Sequence, residues 1–244
     1  MEGKVCLITG GGTGIGRAIA LRLAKAGLNV IINYSRSEQE ALETKSECEQ
    51  LGVKAMVYKA DVSNDQEVRK MMNDTINSFG RLDILVNNAG VTNIVPLEDL
   101  EGLKEEYWDR AMAINVKGVF FCSRAASEQL KVNNGCILNT ASVAGMTGQG
   151  SSIAYAASKA AVISLTKSLA RALAPEVRVN SLSPGMVLTR WTEGKDEPIK
   201  RFAENAPLGR AATPEDVAEV AYSFIANASF VTGQNIAIDG GMLM

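Results

Sequence analysis

Short apolar, β-branched runs alternate with helix-period stretches along the whole chain, and this alternation limits the possible folds more than any other feature. The runs are Val5–Thr9, Asn29–Asn33, Lys54–Tyr58, Ile84–Val86, Cys136–Thr140, Val179–Leu182 and Asn235–Ile238. Each has the length and composition of a buried strand. Between most of them apolar residues recur at spacings of three and four, as in Ile15–Ala26, where Ile15, Ile19, Leu23 and Ala26 share one side. The pattern predicts an α/β protein: a doubly wound parallel sheet of about seven strands, with helices on both faces and right-handed crossovers. The 244 residues suit a single domain spanning 1–244. Ser37 with Glu40 has capping-box spacing, and Thr213-Pro214-Glu215-Asp216 puts proline and acids in a first turn. Ser183–Pro207, with Trp191 and three prolines, is expected to be a long irregular stretch, either a substrate lid (about 183–207) or a surface excursion.

Composition narrows the function classes. Apolar residues make up 46% and charged residues 21%, the balance of a soluble core. Lys plus Arg total 25 against 27 Asp plus Glu, so no basic field exists to neutralise a nucleic acid, and none is expected as a partner. No window is apolar for the ~18 residues a membrane span needs, and the run in Met1–Gly10 is too short for a signal peptide. No membrane partner and a cytoplasmic location are the expectations. Cys6, Cys48, Cys122 and Cys136 are widely separated and read as reduced packing residues. The absence of histidine removes the commonest general base and the commonest metal ligand together, so no metal is expected. Catalysis must use Tyr, Lys, Ser, Asp, Glu or Cys.

The first strand runs into Thr9-Gly10-Gly11-Gly12-Thr13-Gly14-Ile15-Gly16 and then into a helix. Backbone N–H groups and a helix N-terminus in that context can hold a pyrophosphate, and glycine lets it approach. The spacing is T-G-x-x-x-G-x-G; G-x-G-x-x-G fails because Ile15 stands where glycine is required. A plain glycine-rich turn is the alternative. The second strand ends Asn33-Tyr34-Ser35-Arg36. It lacks the acid that holds an NAD ribose, whereas Arg36 and the Ser35 hydroxyl suit a 2′-phosphate. NADP(H) is therefore expected ahead of NAD(H), against the alternative that Arg36 only decorates a solvated loop.

Tyr155 and Lys159 open an alanine-rich helical stretch, four apart and so on one face, able to act on the same bound atom. Ser142 follows the strand Cys136–Thr140 at its C-terminal edge, where such sheets bind ligands. Strand four ends in Asn87-Asn88-Ala89-Gly90, and Asn115 interrupts an apolar helical pattern. A polar group buried there needs a partner. Bland readings remain: a surface Tyr–Lys pair, a turn serine, a kink asparagine.

Taken together and in order, these segments resemble the short-chain dehydrogenase/reductase family over essentially the whole chain. Shared features include T-G-x-x-x-G-x-G, Ala60-Asp61-Val62, N-N-A-G, the helical Asn115, Ser142, Y-x-x-x-K, Pro184-Gly185 and Asp239-Gly240-Gly241. The resemblance implies a Rossmann-type domain. It implies that Tyr155 gives a proton to a ketone oxygen, that Ser142 positions that oxygen, that Lys159 lies on the nicotinamide ribose, and that Asn115 helps hold a water relay to Lys159. It implies cofactor contacts from Gly10, Gly12, Thr13, Gly14, Ile15 and Gly16, from Asp61 and Val62 beside the adenine, and from Asn88, Ala89 and Gly90 beside its ribose. Pro184, Gly185, Val187 and Thr189 would meet the nicotinamide end. Moving a tyrosine from near ~10 to near ~7 needs about 4 kcal/mol of phenolate stabilisation. The Lys159 ammonium, an oxidised nicotinamide and a site shielded from water are expected to supply it.

Within the family, Leu208-Gly209-Arg210 and Val231-Thr232-Gly233-Gln234 look most like 3-oxoacyl-[acyl-carrier-protein] reductases. That implies a 3-oxoacyl thioester substrate and acyl carrier protein as partner, met by basic residues near the cleft. Arg171 is one such residue, but Asn133 stands where a second arginine is expected, and Lys131 is the nearest substitute. A free ketone, sugar or polyol is the alternative substrate. Met186, Leu188 and Trp191 offer apolar contact to an acyl chain. Ala-rich Ala160–Ala174 and the glycine-rich tail resemble pairing surfaces, so a homotetramer is expected, with a dimer as the alternative. A non-catalytic NADP(H) sensor is the rival of another class, disfavoured because it has no chemical use for Ser142, Tyr155, Lys159 and Asn115. A sugar-nucleotide epimerase is disfavoured by the short chain.

Overall fold

A computed structural model describes all residues, Met1–Met244. In chain order the elements are β1 (Val5–Ile8), α1 (Gly14–Lys25), β2 (Asn29–Tyr34), α2 (Glu38–Gln50), β3 (Ala55–Lys59), α3 (Asp65–Phe79), β4 (Ile84–Asn87) and α4 (Glu105–Ala111). A π-helical segment, Met112–Lys117, joins α4 to α5 (Gly118–Val132); then come β5 (Cys136–Thr140), α6 (Ala144–Thr147), α7 (Ile153–Leu173), β6 (Arg178–Pro184), α8 (Asp196–Asn205), α9 (Pro214–Ala226) and β7 (Asn235–Ile238). One sheet takes all seven strands in the order β3-β2-β1-β4-β5-β6-β7, and every neighbouring pair is parallel.

Two cores flank the sheet because successive strand residues point to opposite faces. Cys6 and Ile8 of β1 join α1, α2 and α9 on one side. Val5 and Leu7 join α3, α5 and α7 on the other. The strand order reverses between β1 and β4, so the loops after their C-terminal ends diverge and leave a crevice there. No helix is long and apolar enough to cross a membrane, and no group of acidic residues and cysteines has the arrangement of a metal site. All four cysteines are buried and unpaired.

The strands and the Thr213 cap follow the sequence reading; three local expectations do not. Ser37 precedes α2 without capping it, its backbone at ψ 64° being outside the extended region of a cap; its hydroxyl accepts a bond of 3.0 Å from Arg190. Ser183–Pro207 is not irregular throughout: β6 continues to Pro184, and Asp196–Asn205 is helical. That helix is short, and its apolar stripe of Ile199, Phe202 and Ala203 is only partly buried. Finally, Asn115 sits in a π-helical rather than an α-helical turn.

Candidate active site

The crevice begins at the glycine loop. Gly10 and Gly14 have φ of +62° and +52°, a region that side chains disfavour. Gly16 faces inward, where a Cβ would overlap the Gly10 carbonyl oxygen, so it lets α1 pack on the loop and does not line the crevice. Thr9 Oγ accepts from Asn88 N at 2.9 Å and from Ala89 N at 3.0 Å, tying the end of β1 to the end of β4. Asn33 donates to the Ala60 carbonyl at 3.0 Å and accepts from Gly10 N, so it is held by structure where an acid was sought. Sequence reasoning assigned neither Thr9 nor Asn33 a role; a polar residue at the end of a buried strand was the available signal.

α1 starts at Thr13 with no side-chain cap and no acid in its first turn, unlike α3, α7 and α9, whose N-termini are capped by Asn64, Ser152 and Thr213. Its first N–H groups therefore face the crevice unsatisfied, as binding of a pyrophosphate requires. A cleft of about 1040 Å³ extends from this loop past Ser35, Arg36, Asp61 and Val62 to Ser142 and Tyr155. Asp61 is fixed by accepting from Ser63 N and Oγ at 2.9 and 2.7 Å. The residues present thus fit an elongated dinucleotide with an anionic centre.

A smaller cavity of about 230 Å³ brings Gly14, Ile15, Asn88, Gly90, Ser142, Tyr155, Lys159, Pro184, Val187 and Thr189 together. Ser142 lies two residues beyond β5, its Oγ accepting from Ala144 N at 3.2 Å. Lys159 is buried, and its Nζ donates to the Thr140 carbonyl at 2.7 Å. The same ammonium lies 5.8 Å from the centre of the half-buried Tyr155 ring. Trp191 meets that ring edge-on at 6.4 Å and 68°.

Asn115 reaches the site indirectly. Its Oδ1 accepts from Val91 N at 2.8 Å, and its Nδ2 donates to Val91 O at 3.0 Å and to Ser158 Oγ at 2.9 Å. Ser158 Oγ in turn donates to the Tyr155 carbonyl at 2.7 Å. Asn115 thus docks the π-helical turn against α7 and lines neither cavity. Met186 and Trp191 line the cleft as expected; Leu188 does not, being 43% exposed on the outer side. Arg190, Thr92, Ser151, Phe202, Met242 and Leu243 also line it. Phe202 comes from α8 and the others from loops and the chain end, which carry no periodic signal.

Electrostatics here corrects one expectation. Burial pushes the Tyr155 phenol up, against a weaker downward pull from Ser142. Burial pulls Lys159 down to about 8. Shielding from water favours the neutral form of both groups, so it opposes rather than assists phenolate formation.

Comparison with known proteins agrees with this geometry. Residues 10–243 match a family model described as Enoyl-(Acyl carrier protein) reductase. The chain is 39% identical over 99% of its length to 98% of the 3-oxoacyl-[acyl-carrier-protein] reductase FabG of Staphylococcus aureus. A structure described as a short-chain dehydrogenase/reductase from Burkholderia xenovorans superposes with a TM-score of 0.93 at 38% identity, covering 98% of each chain. The chain belongs to the short-chain dehydrogenase/reductase family. It is an oxidoreductase of Rossmann type acting between C=O and CH–OH. The family binds a nicotinamide coenzyme: the NAD⁺-bound xylitol dehydrogenase matches with a TM-score of 0.89 at 34% identity, over 98% of this chain and 99% of that one.

Proposed function

We propose that this protein reduces the ketone of a 3-oxoacyl thioester to the secondary alcohol with NADPH. One observation carries the reading: Ser142, Tyr155 and Lys159 converge in a single cavity at the C-terminal end of β5, beside the glycine loop. When bound, NADPH supplies a hydride to the carbonyl carbon. Tyr155 donates its phenolic proton to the carbonyl oxygen, and Ser142 donates a hydrogen bond that holds this oxygen in reach. Burial raises the Tyr155 phenol further, favouring the protonated form that reduction requires. Lys159, anchored on Thr140, offers its ammonium to the coenzyme ribose and, when charged, stabilises the phenolate left behind. Asn115 is a positioning residue acting through Ser158.

Gly10, Gly12, Thr13, Gly14 and Ile15 hold the pyrophosphate, with Gly16 allowing their close packing. Ser35 and Arg36 hold the 2′-phosphate. Asp61, Val62, Asn88, Ala89 and Gly90 border the adenosine, and Pro184, Gly185, Val187 and Thr189 the nicotinamide. Met186, Trp191, Phe202, Met242 and Leu243 give an acyl chain an apolar wall, under a lid formed by the segment from β6 to Pro207. Arg171 is exposed in the last turn of α7 for an acidic carrier protein. Asn133 instead closes α5, donating to the Gln129 and Leu82 carbonyls at 2.9 and 3.0 Å. A homotetramer has two apolar faces available: Met112 and Phe120 beside α7, and Phe230 with Ile236 at the β7 edge.

The family model's description favours a second reading, reduction of an enoyl thioester. A rate screen with NADPH and NADH against 3-oxoacyl and enoyl thioesters of acyl carrier protein and coenzyme A, with free ketones and ketoses, tests both. The proposal requires the 3-oxoacyl thioesters with NADPH to be fastest. Coenzyme binding without oxidation by any of them would favour the sensor.

A further inference from the structure

Ser37 was expected to cap α2 and does not; its hydroxyl instead accepts from a residue 153 positions away. Arg190 Nη1 donates to Ser37 Oγ at 3.0 Å and lies 4.0 Å from Glu40 Oε1. It thereby crosses the groove from the lid to the turn after β2, and it lines both cavities. Arg190 rides on a tight turn: Thr189 N donates to Thr192 Oγ1 at 3.0 Å, and Thr192 Oγ1 donates to Thr189 O at 2.8 Å. The next residue, Trp191, is the one that meets Tyr155 edge-on. A Cβ at Gly14 would come within 3.3 Å of Thr189 Cγ2, so the same turn also overlies the start of α1.

We propose that Arg190 is a second reader of the coenzyme's 2′-phosphate, and that engaging it fixes the lid turn, with Trp191, against Tyr155. The inference rests on the NADP(H) reading and adds to it a residue from the opposite wall of the cleft. Its partner Ser37 adjoins Arg36, so the guanidinium already stands at the turn that reads the 2′-phosphate. The Arg190 and Glu40 side chains are 51% and 47% exposed, and an ion pair so hydrated is weak. A dianion that accepts two parallel N–H bonds displaces that carboxylate. Recognition at the adenosine end is then felt at the proton donor, through one four-residue turn. NADH, lacking the phosphate, leaves the Arg190 guanidinium held across the groove only by Ser37 and Glu40.

The test uses 2′,5′-ADP and 5′-ADP, which carry no nicotinamide and undergo no reaction. In a Trp108→Phe background Trp191 is the sole tryptophan. Calorimetry and fluorescence should show that 2′,5′-ADP binds more tightly than 5′-ADP and alone shifts the Trp191 emission. Arg190→Gln should weaken 2′,5′-ADP by about tenfold, abolish the emission shift and leave 5′-ADP unchanged. If Arg190→Gln retains wild-type affinity for 2′,5′-ADP while Arg36→Gln loses it, the inference fails and the NADP(H) reading stands. If the wild type does not distinguish the two nucleotides, both fall.

Discussion

Lys159 is held by geometry and strained by electrostatics. Its ammonium donates to a single acceptor, the Thr140 carbonyl, and burial lowers it from 10.5 to about 8. A lysine with a depressed folded value destabilises the fold wherever the unfolded chain holds the proton more readily. Below about pH 8 both states are protonated and the folded state bears the full cost. Between about 8 and 10.5 the unfolded chain binds more protons, so stability rises with pH; above that window the cost is gone. The difference amounts to about 3 kcal/mol. Lys159→Met removes this dependence. Urea unfolding at about pH 7 and about pH 10.5 should show the wild type gaining up to that amount relative to the variant. A pH-independent difference would mean that Lys159 is not desolvated as described. The pair Tyr155 and Lys159 was legible from spacing because a four-residue offset puts both on one helical face. Their directions of shift were not, since burial depends on Thr140, Ser142 and Trp191, brought in by other elements.

At the scale of elements, α2 and α9 form a natural comparison. Thr213 Oγ1 accepts from Asp216 N at 3.3 Å, and Asp216 accepts from Thr213 N at 2.7 Å, a complete capping box. The Arg210 guanidinium beside Asp216 holds its carboxyl well below the usual carboxylate range. Thr213→Ala should cost about 1 kcal/mol in chemical denaturation, and Ser37→Ala less than about 0.5, since Ser37 caps nothing. Equal losses would contradict the assignment. Both sites place an acid three residues after a hydroxyl, but Thr213 has the extended backbone of a cap and Ser37, at ψ 64°, does not, while its hydroxyl accepts from Arg190. The seven strands were legible because buried parallel strands read as continuous apolar runs. The π-helical turn at Met112–Lys117 was not, because apolar spacing hardly differs between helix types over six residues. Within it Asn115 reaches both Val91 and Ser158.

For the whole molecule, the parallel order with its reversal between β1 and β4 gathers at one edge residues that are far apart in sequence. The glycine loop, the Asn88–Gly90 loop, Ser142 and the segment after β6 all lie at strand C-termini for that reason. The same architecture leaves apolar side chains unburied on a single chain, with Phe230 fully exposed next to β7. Sedimentation should give a species with the mass of four 26.0 kDa chains. Phe230→Asp should reduce it to dimers, and a variant that stayed tetrameric would place the second interface elsewhere. The central claim, that Tyr155 supplies the proton, is tested most directly by Tyr155→Phe, which keeps the ring and removes only the hydroxyl. NADPH oxidation with a 3-oxoacyl thioester should fall by about 100- to 10,000-fold while the NADPH dissociation constant changes less than about twofold. Turnover close to that of the wild type, with coenzyme binding intact, would contradict the account.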